Sequence, residues 1–487
     1  MRFLVLLPLI AAGAAAADLS TRVRELLEAA PANRAFYGVY AVDLATGAVV
    51  IDYQSSRFFV PASNTKLFTT ALGLLRLGPD YRFHTTVVAD EALDSRGHLS
   101  SGLSLIGGGD PNLSPRPIPY QAGPYSGNPL EAIEDLAAQL EAKGVRRVNG
   151  DIAGDDRRYV WQPYAEGWAM DDALHEYGAP VSALTLNDNA FTLFVRPDGL
   201  RADPPVPHYR FENHLRIERG APRKIAIERA AGSRRVRVTG TIPPGDPGES
   251  HLLAIDDPAL HAAQALASAL LRRGIAVSGR AVARHATPEE FRNLERAEPL
   301  QALRGPRVVE LARRDSPPLL DSLRVIDKVS QNLHAEMLLR EVGRAARNIG
   351  SREAGLEELR AFLSEAGVDS ADYHWRDGSG LSRLNLVTPR AVVQLLRYMY
   401  ESAQRENWIS LLPIAGEDGT LRTLMSGSRA AGRIRAKTGT LSHVTALSGY
   451  ASRDSGTLAF SILVNNYQGP ASGARGIVDK ICNWMVE

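Results

Sequence analysis

The chain has 487 residues, 44% of them hydrophobic, with 56 Lys and Arg against 55 Asp and Glu. That length supports a large core divided into roughly two to four domains. The near-zero net charge removes the global basic footprint of a nucleic-acid binder. The single cysteine, Cys482, excludes an internal disulfide and a cysteine-built zinc cage.

The opening MRFLVLLPLIAAGAAAADLS places Arg2 before a short apolar stretch and an alanine-rich segment. This is the layout of a secretory signal cleaved near Ala17, so a periplasmic protein is expected. No later segment approaches the roughly 18 uninterrupted apolar residues of a membrane helix, which leaves at most peripheral membrane association. YGVYAVDLATGAVVIDY predicts two strands around a turn at Ala45-Thr46-Gly47. A helix is predicted from Ser63, with Leu67, Ala71, Leu74 and Leu75 on its apolar face and Gly78-Pro79 as its stop. Short strands then run to about His285, interrupted by helices in PLEAIEDLAAQLEAKG and PALHAAQALASALLRRG. LLDSLRVIDKVSQNLHAEMLLREV restores a helical period, with apolar residues at 323, 326, 329, 333 and 337. RIRAKTGTL, VTALSGYAS and LAFSILVNN close the chain as strands before a helix from Ala474. Strands and helices at both ends around a strand-rich middle imply one α+β domain interrupted by a long insertion.

Three short motifs carry chemistry. In Ser63-Asn64-Thr65-Lys66 a spacing of three places serine and lysine on one face of a helical turn. Serine needs a neighbouring base to become a nucleophile, and lysine is one only when burial or a second cation lowers its pKa. Taken alone, Ser63 reads as an ordinary helix cap, because Ser and Thr cap helices routinely and S-x-x-K occurs by chance in most long proteins. Ser330-Gln331-Asn332 offers a hydroxyl that relays a proton and an amide that binds a peptide. In the strand holding Lys437-Thr438-Gly439, Lys437 and Gly439 share one face. Gly439 lets a substrate backbone approach, and Lys437 adds a charge suited to a carboxylate and able to depress Lys66. S-x-x-K, S-x-N and K-T-G in this order are the pattern of penicillin-binding proteins and serine β-lactamases, with Gln331 standing where Asp is usual.

On these motifs the sequence resembles the low-molecular-mass class C penicillin-binding proteins, the D-alanyl-D-alanine carboxypeptidase/endopeptidase family. FVPASNTKLFTTA, LIGGGDPNLS, YGAPVSALTLNDN, KVSQNLHAEML, DGSGLSRLNLVTP, LPIAGEDGTLR and AKTGTL are similar to that family's blocks along essentially the whole mature chain. The resemblance implies an α+β fold: a serine β-lactamase/DD-transpeptidase-like domain, an antiparallel sheet flanked by helices, with two nested strand-rich inserted domains. Residues 18–85 and 310–487 would form the catalytic domain, 86–159 with 281–309 the outer insertion, and 160–280 the inner one. Ser63 would be the acylated nucleophile, Lys66 its base, Ser330 a proton shuttle, and Asn332 a ligand of the penultimate peptide unit. Lys437 and Thr438 would hold the terminal carboxylate, and the N–H groups of Ser63 and Thr440 would form the oxyanion hole. Asp155 and Arg383 would recognise the diaminopimelate end of the stem peptide, with Tyr159 packing on its aliphatic part. Ser442 stands where some relatives carry Gln, which leaves the side-chain preference open.

The implied partners are peptidoglycan peptides ending in D-Ala-D-Ala and β-lactam antibiotics, with no nucleic acid and no cofactor. A serine β-lactamase differs in how fast water cleaves the acyl-enzyme, which residue order does not set. A silent wall-binding scaffold is disfavoured by the intact Ser63, Lys66, Ser330 and Lys437. Other features read as structural. IGGGDPNLS lacks the Lys-Ser/Thr of a phosphate loop, the eleven histidines include no H-E-x-x-H metal motif, and His334 and Glu336 are placed on the polar side of their helix. YVWQPYAEGWAMDD reads as core packing rather than a glycan platform.

Overall fold

The computed structural model describes residues 19–29, 34–123, 127–297 and 308–487. The expected export signal and its cleavage point near Ala17 lie outside them, as does part of the 281–309 stretch. Two compact units emerge. One comprises the chain up to Pro79, Leu323–Leu339 and Leu356–Glu487; the other comprises Asp80–Ser322 and Arg340–Gly355. Among the described residues no helix is long and apolar enough to cross a membrane.

The first unit is built on a five-stranded antiparallel sheet in the order Ile434–Leu441, Val444–Arg453, Gly456–Asn465, Phe36–Asp43, Val49–Tyr53. Its middle strands are buried almost throughout because both faces are covered, and where they carry buried serines these pair with each other, Ser448 Oγ donating to Ser461 Oγ at 2.9 Å. On one face Val39, Ile51, Phe460 and Ile462 pack with Leu19, Val23 and Leu27 and with Val478, Ile481 and Cys482 of the helix Ala471–Met485. On the other lies the helix Pro389–Glu401. The Thr388 hydroxyl fixes its start by accepting the Ala391 N–H at 3.1 Å, with Pro389 in the first turn, where its missing N–H costs nothing. Trp408 Nε1 donates to the Tyr450 hydroxyl at 2.9 Å, which donates to the Leu396 carbonyl at 2.7 Å, so two large buried side chains are satisfied.

The predicted helix after Ser63 is Thr65–Leu77, preceded by a 3₁₀ turn at Ala62–Asn64 and ended by Gly78 at φ 84°. Leu67, Ala71 and Leu74 are buried as expected and Leu75 is half-buried. The polar Thr65, Lys66, Thr69 and Thr70 are fully buried too, so the helix is enclosed all round instead of lying on a surface. Thr69 meets that requirement by donating to the Gly378 carbonyl at 2.7 Å, and Thr70 by donating to the Lys66 carbonyl at 2.7 Å.

The helical period across 323–337 resolves into two helices, Leu319–Lys328 and Asn332–Arg347, broken by Ser330 at φ 65°. The second begins where Gln331 Oε1 accepts the Leu333 N–H at 3.1 Å. That capping contact is one an Asp at this position would also make, which accounts for the tolerance of Gln in the motif. The expectation that His334 and Glu336 lie on a polar face is corrected: they are 1% and 0% exposed.

The second unit contains a mixed five-stranded sheet in the order Ala281–Ala286, Ile152–Val160, Leu103–Ile106, His84–Ala89, Val309–Asp315. The helices Glu131–Ala142 and Pro258–Arg272 share one apolar core with it, through Leu136, Leu140, Leu266 and Leu270 against Val87, Leu105 and Ile152. Pro258–Arg272, expected inside the 160–280 insertion, therefore belongs to the outer core; its alanine-rich face is narrow enough for the chain at Gly154 to come against Ala259. A separate core of Phe191, Leu193, Val195, Val236, Val238, Leu253 and Ile255 joins two three-stranded sheets. The glycine run of IGGGDPNLS packs on its own chain, since a Cβ at Gly108 would stand 1.9 Å from the His84 carbonyl oxygen.

In the first unit, the strand Ile434–Leu441 is locked to the Ala62–Asn64 turn. Asn64 Nδ2 donates to the Lys437 carbonyl at 2.9 Å, and a Cβ on Gly439 would stand 2.7 Å from the Pro61 carbonyl oxygen and 3.1 Å from Ser63 N. The glycine expected to admit a substrate backbone is required first by the protein's own backbone. Gly439→Ala must push strand and turn apart, and overpacking of this kind costs about 1–3 kcal/mol. The urea unfolding midpoint of G439A should fall accordingly; a wild-type midpoint would show that the turn yields without cost.

Candidate active site

Ser63 is raised on a strained turn. Ala62 holds φ 47°, an unfavourable region for a residue with a Cβ, and the bend leaves Ser63 half-buried while Asn64 and Lys66 are 0% exposed. Gly380, at φ 83°, lets the segment after Asp377 close on this turn, because a Cβ there would lie 1.8 Å from the Ala62 carbonyl oxygen.

Lys66 Nζ lies 3.0 Å from Ser63 Oγ, 2.6 Å from Asn332 Oδ1 and 2.6 Å from the Ser379 carbonyl oxygen. Two of these three neighbours are carbonyl oxygens, which only accept hydrogen bonds. A neutral amine has two protons and one lone pair. With both protons on the carbonyls, the lone pair faces Ser63 Oγ. Burial lowers the Lys66 pKa to about 7, helped by the charge on Lys437 and opposed by Asp377, Glu336 and Asp327. The site thus supplies an amine that can take the serine proton near neutral pH.

Lys437 comes from the strand Ile434–Leu441 and is also 0% exposed. Its Nζ donates to Ser330 Oγ at 2.8 Å and to the Thr438 carbonyl at 2.9 Å, so the left-handed kink at Ser330 is what aims that hydroxyl at the second lysine. Burial lowers the Lys437 pKa to about 8, against the pull of Asp327. Asp327 is itself raised by burial and touches Thr70 Oγ1 at 3.1 Å through Oδ2. Thr438 points away from Lys437, as the strand period predicts, and its hydroxyl meets Thr420 Oγ1 at 2.7 Å.

Sequence reasoning missed the groups that hold this geometry. Glu336 Oε1 accepts the N–H groups of both Gly378 and Ser379 at 2.8 Å, which turns the Ser379 carbonyl towards Lys66. Asp377 accepts the N–H groups of Gly380 at 2.8 Å and Ser382 at 2.7 Å, closing the same loop. The usable signal was spacing: Asn332 and Glu336 lie one helical turn apart, on the face that also carries the motif. A cleft of about 400 Å³ opens here, lined by Ser63, Ser330, Thr438, Thr440, Thr420 and Arg475 among others. Lys437 does not line it. Among the described residues no group of three or more His, Cys, Asp or Glu side chains could hold a metal.

The residues expected at the diaminopimelate end stand differently. Arg383 is exposed, and both of its terminal nitrogens donate to the Ser442 carbonyl at 3.2 Å, so Ser442 contributes backbone rather than hydroxyl. Asp155, in the second unit, is 4% exposed and paired with Arg157, Oδ2 to Nη2 at 2.5 Å. Tyr159 is 2% exposed and donates to Glu341 Oε2 at 2.9 Å, beside Arg158 Nε at 2.9 Å from the same oxygen. Its ring is a core element, which corrects the expectation that it packs on a substrate stem.

The chain belongs to the D-Ala-D-Ala carboxypeptidase 3 (S13) family, matched over residues 19–485. It is 34% identical over 479 residues to the D-alanyl-D-alanine carboxypeptidase of Actinomadura sp. (strain R39), spanning 95% of this chain and 83% of that protein. The D-alanyl-D-alanine carboxypeptidase DacB of Haemophilus influenzae is 24% identical over 444 residues, spanning 88% of this chain and 85% of DacB. The fold is that of penicillin binding protein 4 from Haemophilus influenzae, with a TM-score of 0.77 at 24% identity over 95% of this chain and 97% of that structure. The protein is a serine-type D-Ala-D-Ala carboxypeptidase of the low-molecular-mass class C type.

The two lysines set a pH profile. Lys66 must be neutral to accept a proton, so kcat/KM for D-alanine release should rise with pH through about 7. Lys437 must stay charged to stabilise the negative charge that develops on Ser330 Oγ as it relays the proton, so the rate should fall above about 8. A narrow bell between these limits is the expected result. A profile still rising above pH 9, near the ordinary lysine value of about 10.4, would refute the assignment.

Proposed function

We propose that the protein is exported to the periplasm and cleaves both the terminal D-alanine and the cross-links of peptidoglycan stem peptides through an acyl-enzyme on Ser63. Ser63 Oγ attacks the carbonyl carbon of the penultimate D-alanine while its proton passes to Lys66 Nζ. The N–H groups of Ser63 and Thr440 hold the oxyanion, where preorganised donors stabilise developing charge. The proton then travels by way of Ser330 to the departing nitrogen, the C–N bond breaks, and D-alanine or the cross-linking amine leaves. Water, deprotonated by Lys66, hydrolyses the ester and restores Ser63. Asn332 fixes the Lys66 amine through Oδ1 and orients the peptide. A β-lactam presents the same acyl geometry and acylates Ser63 in the same way.

The observation that carries this reading is the set of three contacts at Lys66 Nζ, two to carbonyl oxygens and one to Ser63 Oγ. The similarity to penicillin binding protein 4 of Haemophilus influenzae, solved in complex with a β-lactam, supports the antibiotic arm. Arg383 is assigned to the carboxylate of the diaminopimelate centre, its guanidinium presented at the surface by Ser442. The two separate apolar cores of the second unit support an outer insertion and an inner one, the inner confined to about residues 190–255.

Incubation with a fluorescent penicillin should label wild-type protein on the peptide containing Ser63. Ser63→Ala should remove the label and lower D-alanine release at least about a thousandfold. The same variant should stop cleavage of a cross-linked peptide dimer. Label on another serine, or D-alanine release that survives S63A, would overturn the proposal.

A further inference from the structure

The cleft beside Ser63 contains a cation to which the three motifs assign nothing. The helix Ala471–Met485 carries Arg475, Val478 and Asp479 into its lining. Arg475 Nη2 donates to Thr440 Oγ1 at 3.1 Å. Among the described residues no carboxylate lies within ion-pair distance of this guanidinium. Asp479, the one acid lining the cleft, sits one turn further along the same helix.

A carboxypeptidase must hold the anionic end of its substrate, and charge-assisted bonds are the strong way to do so. Lys437 is the cation that the motif offers for this task. It is 0% exposed, its Nζ is engaged by Ser330 Oγ and the Thr438 carbonyl, and it does not reach the cleft. Among the described lining residues, Arg475 is the only one with a positive charge. It stands beside Thr440, on the strand edge that carries Thr438. Its planar fork suits a carboxylate better than a point charge does.

We propose that Arg475 is the direct counter-ion of the substrate's terminal carboxylate, with the Thr440 hydroxyl shared between them, while Lys437 acts only through Ser330. The inference rests on Ser63 being the acylated residue. It gives the C-terminal helix a role in specificity, since that helix brings charge recognition to a strand edge otherwise lined by threonines.

The test compares an acyl-D-Ala-D-Ala peptide with its C-terminal amide on wild type, Arg475→Ala and Arg475→Lys. For the acid peptide R475A should raise KM about tenfold with kcat within about twofold, because the lost contact is made equally before and during the reaction. For the amide the KM change should stay under about twofold, and R475K should recover part of the loss on the acid. A residue that merely supports the fold would weaken both peptides alike. Equal effects on acid and amide, or an unchanged KM for the acid, would overturn the inference. Should R475A lose its cooperative thermal melt, Arg475→Gln carries the same comparison. Penicillin labelling of wild-type Ser63 is run in parallel. Absence of that label sinks the nucleophile assignment, whereas a label with no acid-selective KM effect sinks only the role of Arg475.

Discussion

A lysine amine sealed from water, with two carbonyl oxygens on two sides and a serine hydroxyl on the third, constrains the rest of the catalytic unit. A fully buried ammonium is expensive, and the protein meets the cost by letting the group approach neutrality. Neutrality helps only if the lone pair points at the serine, and the carbonyls decide that direction. One belongs to Asn332, at the start of a helix, and the other to Ser379, in a loop whose N–H groups are held by Glu336 and Asp377. Three distant stretches of chain must therefore meet at one nitrogen.

The second lysine is arranged on the same principle with a different outcome. Lys437 is as deeply buried as Lys66 and Asp327 opposes the loss of charge at both, but Lys66 is lowered further by the charge on Lys437, so Lys66 gives up its proton first. Its charge discourages protonation of Lys66, and its hydrogen bond fixes Ser330. This division of labour requires the strand and the nucleophile turn to stay in register. Gly439, Gly380 and the strained Ala62 are the positions where backbone meets backbone to enforce it.

Much of this was legible in the residues alone. The S-x-x-K spacing placed Ser63 and Lys66 on one turn, and strand alternation placed Lys437 opposite Thr438, because both rest on local periodicity. The strands at the two chain ends were visible for the same reason. What periodicity could not reveal was the break at Ser330, since a single left-handed residue leaves the apolar spacing nearly intact on both sides. Nor could it show that Glu336 is buried: a carboxylate enters a core only when it finds backbone N–H partners, and those come from a loop some forty residues away in sequence. Tyr159 misled in the opposite direction, its ring being enclosed by its own unit. The helix Pro258–Arg272 was found correctly as a helix, but which of two cores it joins depends on contacts with the distant Glu131–Ala142.

The central claim is that Lys66 carries no proton over part of the neutral range, and it can be read directly. The sequence contains only six lysines, so selectively ¹⁵N-labelled side-chain amines give a small set of signals. A pH titration followed by NMR, with Lys66→Met supplying the assignment by loss of one signal, should show that signal titrating with a midpoint of about 7. If the signal lost in K66M instead titrates near the ordinary lysine value of about 10.4, the amine is charged at neutral pH and cannot serve as the base.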